Sequence, residues 1–291
     1  MTLGRDQLAA LAAVVREGSF EAAARALHVT PSAVSQRVRA LETRVGQVLV
    51  RRAKPCAVTD AGRPLLRLAG QFDLLEREAL AAAGGAPAGR VAVTLDPDSL
   101  ATWFLPAVAA LTGDSAVLLD LREDDQDHTA EWLRDGTVMA AVTGTAAAVQ
   151  GCRVRRLGAM RYRALAAPGF AERWFADGAT PGAFAVAPMI VMTRKDRLQH
   201  RFIHQLRAAL DPPVHYVPSA VAFREAIRLG IGWALMPEVL ADEDVAAGHA
   251  VAVAHGRHLD VAMYWQHWRL DSPVLAALTD AVTTAARDAL R

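Results

Sequence analysis

The chain has 291 residues, 53% hydrophobic and 22% charged, which is the length of two or three compact units and the balance of a globular protein. Two cysteines, Cys56 and Cys152, make no disulfide framework, and neither has a partner at metal-ligand spacing. The longest apolar run, residues 183–192, is too short to cross a bilayer. The N-terminus opens directly in helix-forming sequence with no basic-then-apolar export signal, so a cytoplasmic protein with no membrane partner is expected. The formal net charge of +1 hides an asymmetry. Residues 1–66 hold ten Lys and Arg against five Asp and Glu, a local +5, which leaves −4 on the remainder. A basic head on an acidic body predicts a polyanionic partner for the head alone.

The head reads as three helices. Leu8, Leu11, Ala12 and Val15 fall on one face of a helix over 6–17, which Gly18 ends. Ser19 caps a second helix over 20–27, with Phe20, Ala23, Ala24 and Leu27 inward. His28 and Val29 make a turn. Thr30 then caps a third helix with Pro31 at its first position, where a missing N–H costs nothing. That helix runs to about residue 45, with Val34, Val38, Leu41 and Val45 inward. Residues 48–52 and 57–59 predict two short strands around Ala53-Lys54-Pro55, a basic wing. Thr59 is expected to cap a long helix over 60–83. Its apolar residues Leu65, Leu68, Phe72, Leu75, Ala79 and Ala82 alternate steps of three and four, a heptad seam that wants a partner helix.

Residues 84–89 are a Gly- and Pro-rich hinge. Beyond them strands (91–95, 116–121, 138–142) alternate with helices (99–111, 129–134), the pattern of parallel α/β units. A second α/β lobe is predicted from strands at 189–192, 215–217 and 233–236 and helices at 198–210 and 221–229. A strand at 261–268 and a helix from 273 close the chain.

On the third helix, Ser32, Ser35, Gln36 and Arg39 form one stripe opposite the core seam, and all four end in hydrogen-bonding groups. An α-helix fits the DNA major groove, where Gln pairs with adenine and Arg with guanine, while the preceding helix crosses the backbone. Arg37, Arg51, Arg52 and Lys54 read as phosphate contacts, which set affinity but not sequence. The alternative is a polar stripe on a bundle that binds protein. The tight turn, the cap-plus-proline start and the local positive charge favour DNA.

The stretches 18–24 and 30–38, with Thr59-Asp60-Ala61-Gly62, closely resemble the DNA-binding domain of LysR-type transcriptional regulators. Residues 98–104, 123–128, 194–199, 230–238 and 263–272 resemble one branch, the regulators of lysine and arginine export. The resemblance covers nearly the whole chain. It implies a winged helix-turn-helix (1–59), a linker helix and hinge (60–89), and an effector-binding domain (90–291). The latter comprises two α/β lobes like those of periplasmic binding proteins, 90–167 plus 261–291 and 168–260. It further implies promoter DNA, RNA polymerase and a small-molecule effector, lysine or arginine, as partners. A homodimer through the linker (Leu65, Leu68, Phe72, Leu75) or a homotetramer is implied as well, with no cofactor, metal or enzymatic activity. The chain departs from the branch pattern at Asp96-Pro97, where Asn-Ala is expected, at Val221, where an acid is expected, and at Ala234, where Gly is usual.

Two α/β lobes bind a small molecule in the crevice between them. Ser99 is expected to cap the helix after the first strand, offering N–H groups and a hydroxyl to a ligand carboxylate. Thr102 lies one turn on, and Thr143 follows the third strand. Arg194 and Ser219 are expected to close from the other lobe, and Glu123 and Asp124 to take a ligand cation. Trp103 and Trp233 are candidates for lining the cleft. Each has a plainer alternative: Ser99 a cap alone, the acids at 123–127 decoration of a helix start, Arg194 a surface ion pair, the tryptophans core. His200 and His204 stand at i, i+4 without a third ligand. A redox role for Cys56 and Cys152 and a solute-binding or enzymatic use of the lobes are the competing functions.

Overall fold

The computed structural model describes residues 3–84, 90–114, 117–206 and 210–291, without the side chains of 110 and 112–114. In chain order the head contains α1 (Arg5–Glu17), α2 (Phe20–Ala26), α3 (Pro31–Val45), β1 (Val50–Arg51) and β2 (Ala57–Val58), and α4 (Arg63–Ala82) follows. Next come β3 (Arg90–Leu95), α5 (Pro97–Ser99), a π-helical segment (Leu100–Phe104), α6 (Leu105–Asp114), β4 (Leu118–Glu123), α7 (Thr129–Arg134), β5 (Ala140–Thr143) and β6 (Cys152–Ala166). Then follow α8 (Pro168–Trp174), α9 (Pro181–Val186), β7 (Met189–Val191), α10 (Leu198–His204), β8 (Val214–Tyr216) and α11 (Ala220–Arg228). The chain closes with β9 (Ala234–Pro237), α12 (Glu238–Ala246), β10 (Val251–Ala252), β11 (Leu259–Trp268) and α13 (Pro273–Ala289).

These elements form two compact units: Met1–Leu95, Val108–Arg155 and Trp265–Ala281 in the first, Asp96–Ala107, Arg156–Tyr264 and Val282–Arg291 in the second. The chain passes between these units at 155/156 and 264/265, while the two lobes are expected to divide at 167/168 and 260/261. Those crossings lie inside β6 and β11, which run on as single strands; Gly158 sits within β6 without ending it, so no turn signal marks the crossing. Residues 96–107 and 282–291 join the second unit, and the head and linker share the first.

In the first unit, Leu8, Leu11, Val14, Val34, Val38, Leu41 and Leu49 form the buried core of the head. Val45, expected inward, is exposed at the last residue of α3, where Gly46 turns the chain away. The long helix starts three residues later than expected. Thr59 does not cap it; its Oγ1 accepts the Gly62 N–H at 3.2 Å and donates to the Val48 carbonyl at 2.7 Å, closing a turn between wing and helix. A Cβ on Gly62 would collide with the Leu49 carbonyl oxygen and lie 2.7 Å from Val58 Cγ2, so only glycine fits.

The linker seam divides. Leu65 and Leu68 pack half-buried against the head's own core, with Ala69 buried beside them. Phe72 and Leu75 stay exposed, at 51% and 39%. The helix also docks on the lobe: Arg63 pairs with Asp135 at 2.6 Å, and Arg67 donates to the carbonyls of Gln150 and Leu133. β5, β3 and β4 lie side by side in parallel, with Arg90 opposite Leu118 and Val93 opposite Ala140. Of the expected strand at 116–121, residue 116 lies outside the described residues, as do hinge residues 85–89 and helix residues 207–209.

In the second unit β6 pairs antiparallel with β9 and β10, and β7 runs parallel to β8. The sequence gives no sign of β6, because Arg153, Arg155, Arg156, Arg161 and Arg163 break its apolar alternation. Phe175, Phe184, Phe202 and Trp233 form an aromatic core with ring centroids 4.8–6.2 Å apart. Asp244 on α12 is buried and clamped by Arg224 and Arg228 of α11.

Candidate DNA interface and effector site

Thr30 Oγ1 accepts the Ala33 N–H at 3.2 Å, and Pro31 opens α3, as the sequence predicts. His28 takes the left-handed conformation (φ 53°) that lets α2 turn into α3. Ser32, Gln36 and Arg39 are exposed and Ser35 is half-buried, so the stripe faces outward as a unit. Ser32 Oγ hydrogen-bonds Thr30 Oγ1 at 3.0 Å, which orients it. The basic residues separate into two groups. Arg51 and Lys54 are exposed on the wing. Arg37 pairs with Asp6 at 3.1 Å, and Arg52 lies over the Phe20 ring at 4.8 Å, so the head itself holds both side chains in place. The wing is tied to the head by Cys56 N–H, which donates to the Gly18 carbonyl, and by Glu42, which accepts the Leu49 N–H.

The candidate effector residues distribute over both units. In the first, Thr143 is buried, donates to the Thr145 carbonyl at 3.1 Å and receives Gln266 Nε2 at 3.3 Å. Asp124 accepts Trp132 Nε1 at 2.8 Å and the Asp125 N–H, so its carboxylate is held by its own lobe. Glu123 is exposed at the end of β4.

In the second unit Ser99 is not the cap. Asp96 caps the helix, accepting the Ser99 N–H on Oδ1 at 2.8 Å, and Pro97 occupies the first position. The cap-plus-proline signature that marks Thr30-Pro31 also stood at Asp96-Pro97, and applying it twice would have found this start. An acid now holds the N–H group that a ligand carboxylate was expected to take. Ser99 is fully buried beside the Asp96 carboxylate, and Trp103 Nε1 is buried and unpartnered. Thr102 bonds back to the Asp98 carbonyl at 2.6 Å. Arg194 is exposed over the Tyr216 ring at 4.7 Å, and Ser219 caps α11 through the Ala222 N–H. Trp233 belongs to the aromatic core.

The residues that sequence reasoning missed cluster around Tyr162 of β6. Its hydroxyl donates to Asp98 Oδ2 at 2.9 Å. Burial, then the charges of Asp98, Asp96 and Asp196, hold its phenol well above the usual range. Asp196 accepts the N–H groups of Met192 and Leu198. Beyond it Gln199 Oε1 and His200 Nδ1 are buried without partners. Burial lowers the His200 imidazole, so it favours the neutral form.

Cys56 and Cys152 are free thiols, and burial pushes the Cys152 thiol up against the charges of Arg67 and Arg269. No group of three metal-ligating side chains and no helix long and apolar enough to cross a membrane occurs among the described residues.

Residues 5–63 match the family described as bacterial regulatory helix-turn-helix protein, lysR family, and residues 84–287 match the LysR substrate binding domain. The chain is 42% identical over 291 residues to the lysine export transcriptional regulatory protein LysG of Corynebacterium glutamicum, covering 98% of each. It superposes on the crystal structure of ArgP from Mycobacterium tuberculosis with a TM-score of 0.88 at 50% identity, covering 100% of this chain and 99% of that one. Full-length LysG from C. glutamicum with bound effector Arg gives 0.78 at 41% identity, with 99% of each chain covered. The chain therefore belongs to the LysR family of DNA-binding transcriptional regulators, in the branch of LysG and ArgP.

Proposed function

We propose that this regulator senses a basic amino acid, lysine or arginine, and controls transcription of an amino-acid exporter gene from a cytoplasmic promoter complex. The observation that carries the effector reading is the buried region around Tyr162, where Asp96, Asp98 and Asp196 meet and several polar atoms lack partners. Acid-rich, desolvated surroundings favour a cationic ligand. The arginine bound to the C. glutamicum relative and that relative's name support the same class. A second copy of the chain covers Phe72 and Leu75 on α4, giving a dimer or tetramer that presents two α3 stripes to one operator. Effector binding then shifts the balance between arrangements of the paired heads, altering DNA bend or contact with RNA polymerase.

Thermal-shift screening against lysine, arginine, other amino acids and unrelated metabolites tests the effector. A basic amino acid raises the melting temperature. If another metabolite does so while lysine and arginine do not, the effector reading is wrong. Gel shifts with operator DNA, with and without the effector, test the promoter reading.

A further inference from the structure

The acids around Tyr162 are not equivalent. Asp98 is engaged by the Tyr162 hydroxyl. Asp196 spends its two oxygens on the N–H groups of Met192 and Leu198. Asp96 accepts the Ser99 N–H on Oδ1, but its Oδ2 is buried with no hydrogen-bond partner. The residue is 1% exposed. A buried carboxylate with one oxygen left without a partner costs more than a helix cap requires, and an amide would cap equally well.

We propose that Asp96 is the specificity-determining group that receives the side-chain cation of the effector, an ammonium or guanidinium, on its Oδ2. This rests on the reading of the protein as a sensor of basic amino acids and adds how the charge is read.

The polarity of the site selects the ligand's end. An amino acid carries its carboxylate beside its α-ammonium, so placing that end among Asp96, Asp98 and Asp196 brings like charges together. The side-chain cation is several bonds away from the carboxylate and can enter alone. Ser99 stands one turn beyond Asp96, fully buried, and supplies a neutral hydrogen-bonding neighbour on the same helix face. Burial pushes the Asp96 carboxyl up, with Ser99 and nearby backbone N–H groups pulling the other way. A bound cation reverses that push, so the cost of burying the acid is recovered only with a charged ligand.

The test is Asp96→Asn in the full-length protein, titrated calorimetrically with arginine and with citrulline, its uncharged analogue. Asparagine keeps an oxygen for the Ser99 N–H, so the helix start survives, and a circular dichroism spectrum matching the parent verifies the fold. The parent is expected to prefer arginine over citrulline by tenfold or more. The variant is expected to lose at least tenfold in arginine affinity while citrulline changes less than threefold, which collapses the ratio. Equal losses for both ligands, or a preserved preference, overturn the role of Asp96 and leave the effector reading standing. If the parent binds neither arginine nor lysine, the effector reading itself falls, and the charge-reading role falls with it.

Discussion

Glu78 on the linker helix caps the C-terminal helix: its Oε1 receives the Ser272 hydroxyl at 2.5 Å and the Val274 N–H at 3.2 Å, while Ser272 Oγ accepts the Leu275 N–H. A carboxylate borrowed from α4 thus satisfies the first turn of α13 and complements its dipole. Glu78→Ala is expected to lower unfolding stability by about 1–2 kcal/mol. Ser272→Ala in the same background should add little, since both act at one helix end. Denaturant titration of the single and double variants checks this; additive losses contradict the shared cap.

Arg39 and Arg37 sit two residues apart on α3 and differ in what they touch. Arg39 is exposed on the stripe, whereas Arg37 is braced by Asp6. Arg39→Ala should cost about 1–3 kcal/mol at one base position and little elsewhere. Arg37→Ala should weaken binding to all sequences alike and reduce the salt slope by about one unit. Anisotropy titrations over an operator and its single-base variants separate the two patterns.

The divided seam of α4 predicts two phenotypes from neighbouring leucines and a phenylalanine. Leu68→Ala removes packing against the head core and should lower stability by about 1–3 kcal/mol, below a fully buried leucine because Leu68 is half-buried. Phe72→Asp touches an exposed position and should leave the fold intact while shifting the protein toward monomer. Sedimentation velocity and thermal melts on both variants read this; a monomeric Leu68→Ala with a normal melt reverses the assignment.

Two buried acids give opposite pH dependences. Burial raises Asp96, so the folded chain holds a proton there that the unfolded chain has released. That contribution is lost as pH rises through the raised value, and Asp96→Asn should be the more stable protein at neutral pH by on the order of 1–3 kcal/mol. The gain should vanish in acid, below the ordinary carboxylate range. For Asp244, burial also pushes up, but hydrogen bonds and charges from Arg224 and Arg228 outweigh it and hold the carboxyl low. Its stabilisation is present above the ordinary carboxylate range and disappears as pH falls through the lowered value. Asp244→Asn should therefore destabilise at neutral pH and match the parent in strong acid. Denaturation curves across pH check both signs.

The head was legible almost residue by residue, because its helices are bounded by local chemistry: Gly18, Ser19, Thr30-Pro31 and Gly46 each stop or start an element through their own backbone or side chain. The lobes were legible as alternation but not as boundaries. β6 was invisible because its arginines face solvent or ion partners, such as Arg161 with Asp260 and Arg163 with Asp242. Asp244 reads as a surface helix acid, and only the return of α11 beside α12 reveals its burial. Tyr162 could not be nominated, since its partner Asp98 lies 64 residues away and no spacing rule connects them.

The π-helical segment Leu100–Phe104 holds one consequence for how this sensor changes over time. A π turn closes over one more residue than an α turn, and the Thr102 hydroxyl takes up the Asp98 carbonyl beside it. Ala101 is exposed. Deleting it restores the ordinary repeat and swings everything before it by roughly 100° about the helix axis. Asp96 and Ser99 then turn away from the direction they face now, although the strand before them and the helix after them keep their sequences. For this helix chain length acts as a dial, and one inserted or deleted residue reorients its first turn in a single evolutionary step that no side-chain exchange reproduces.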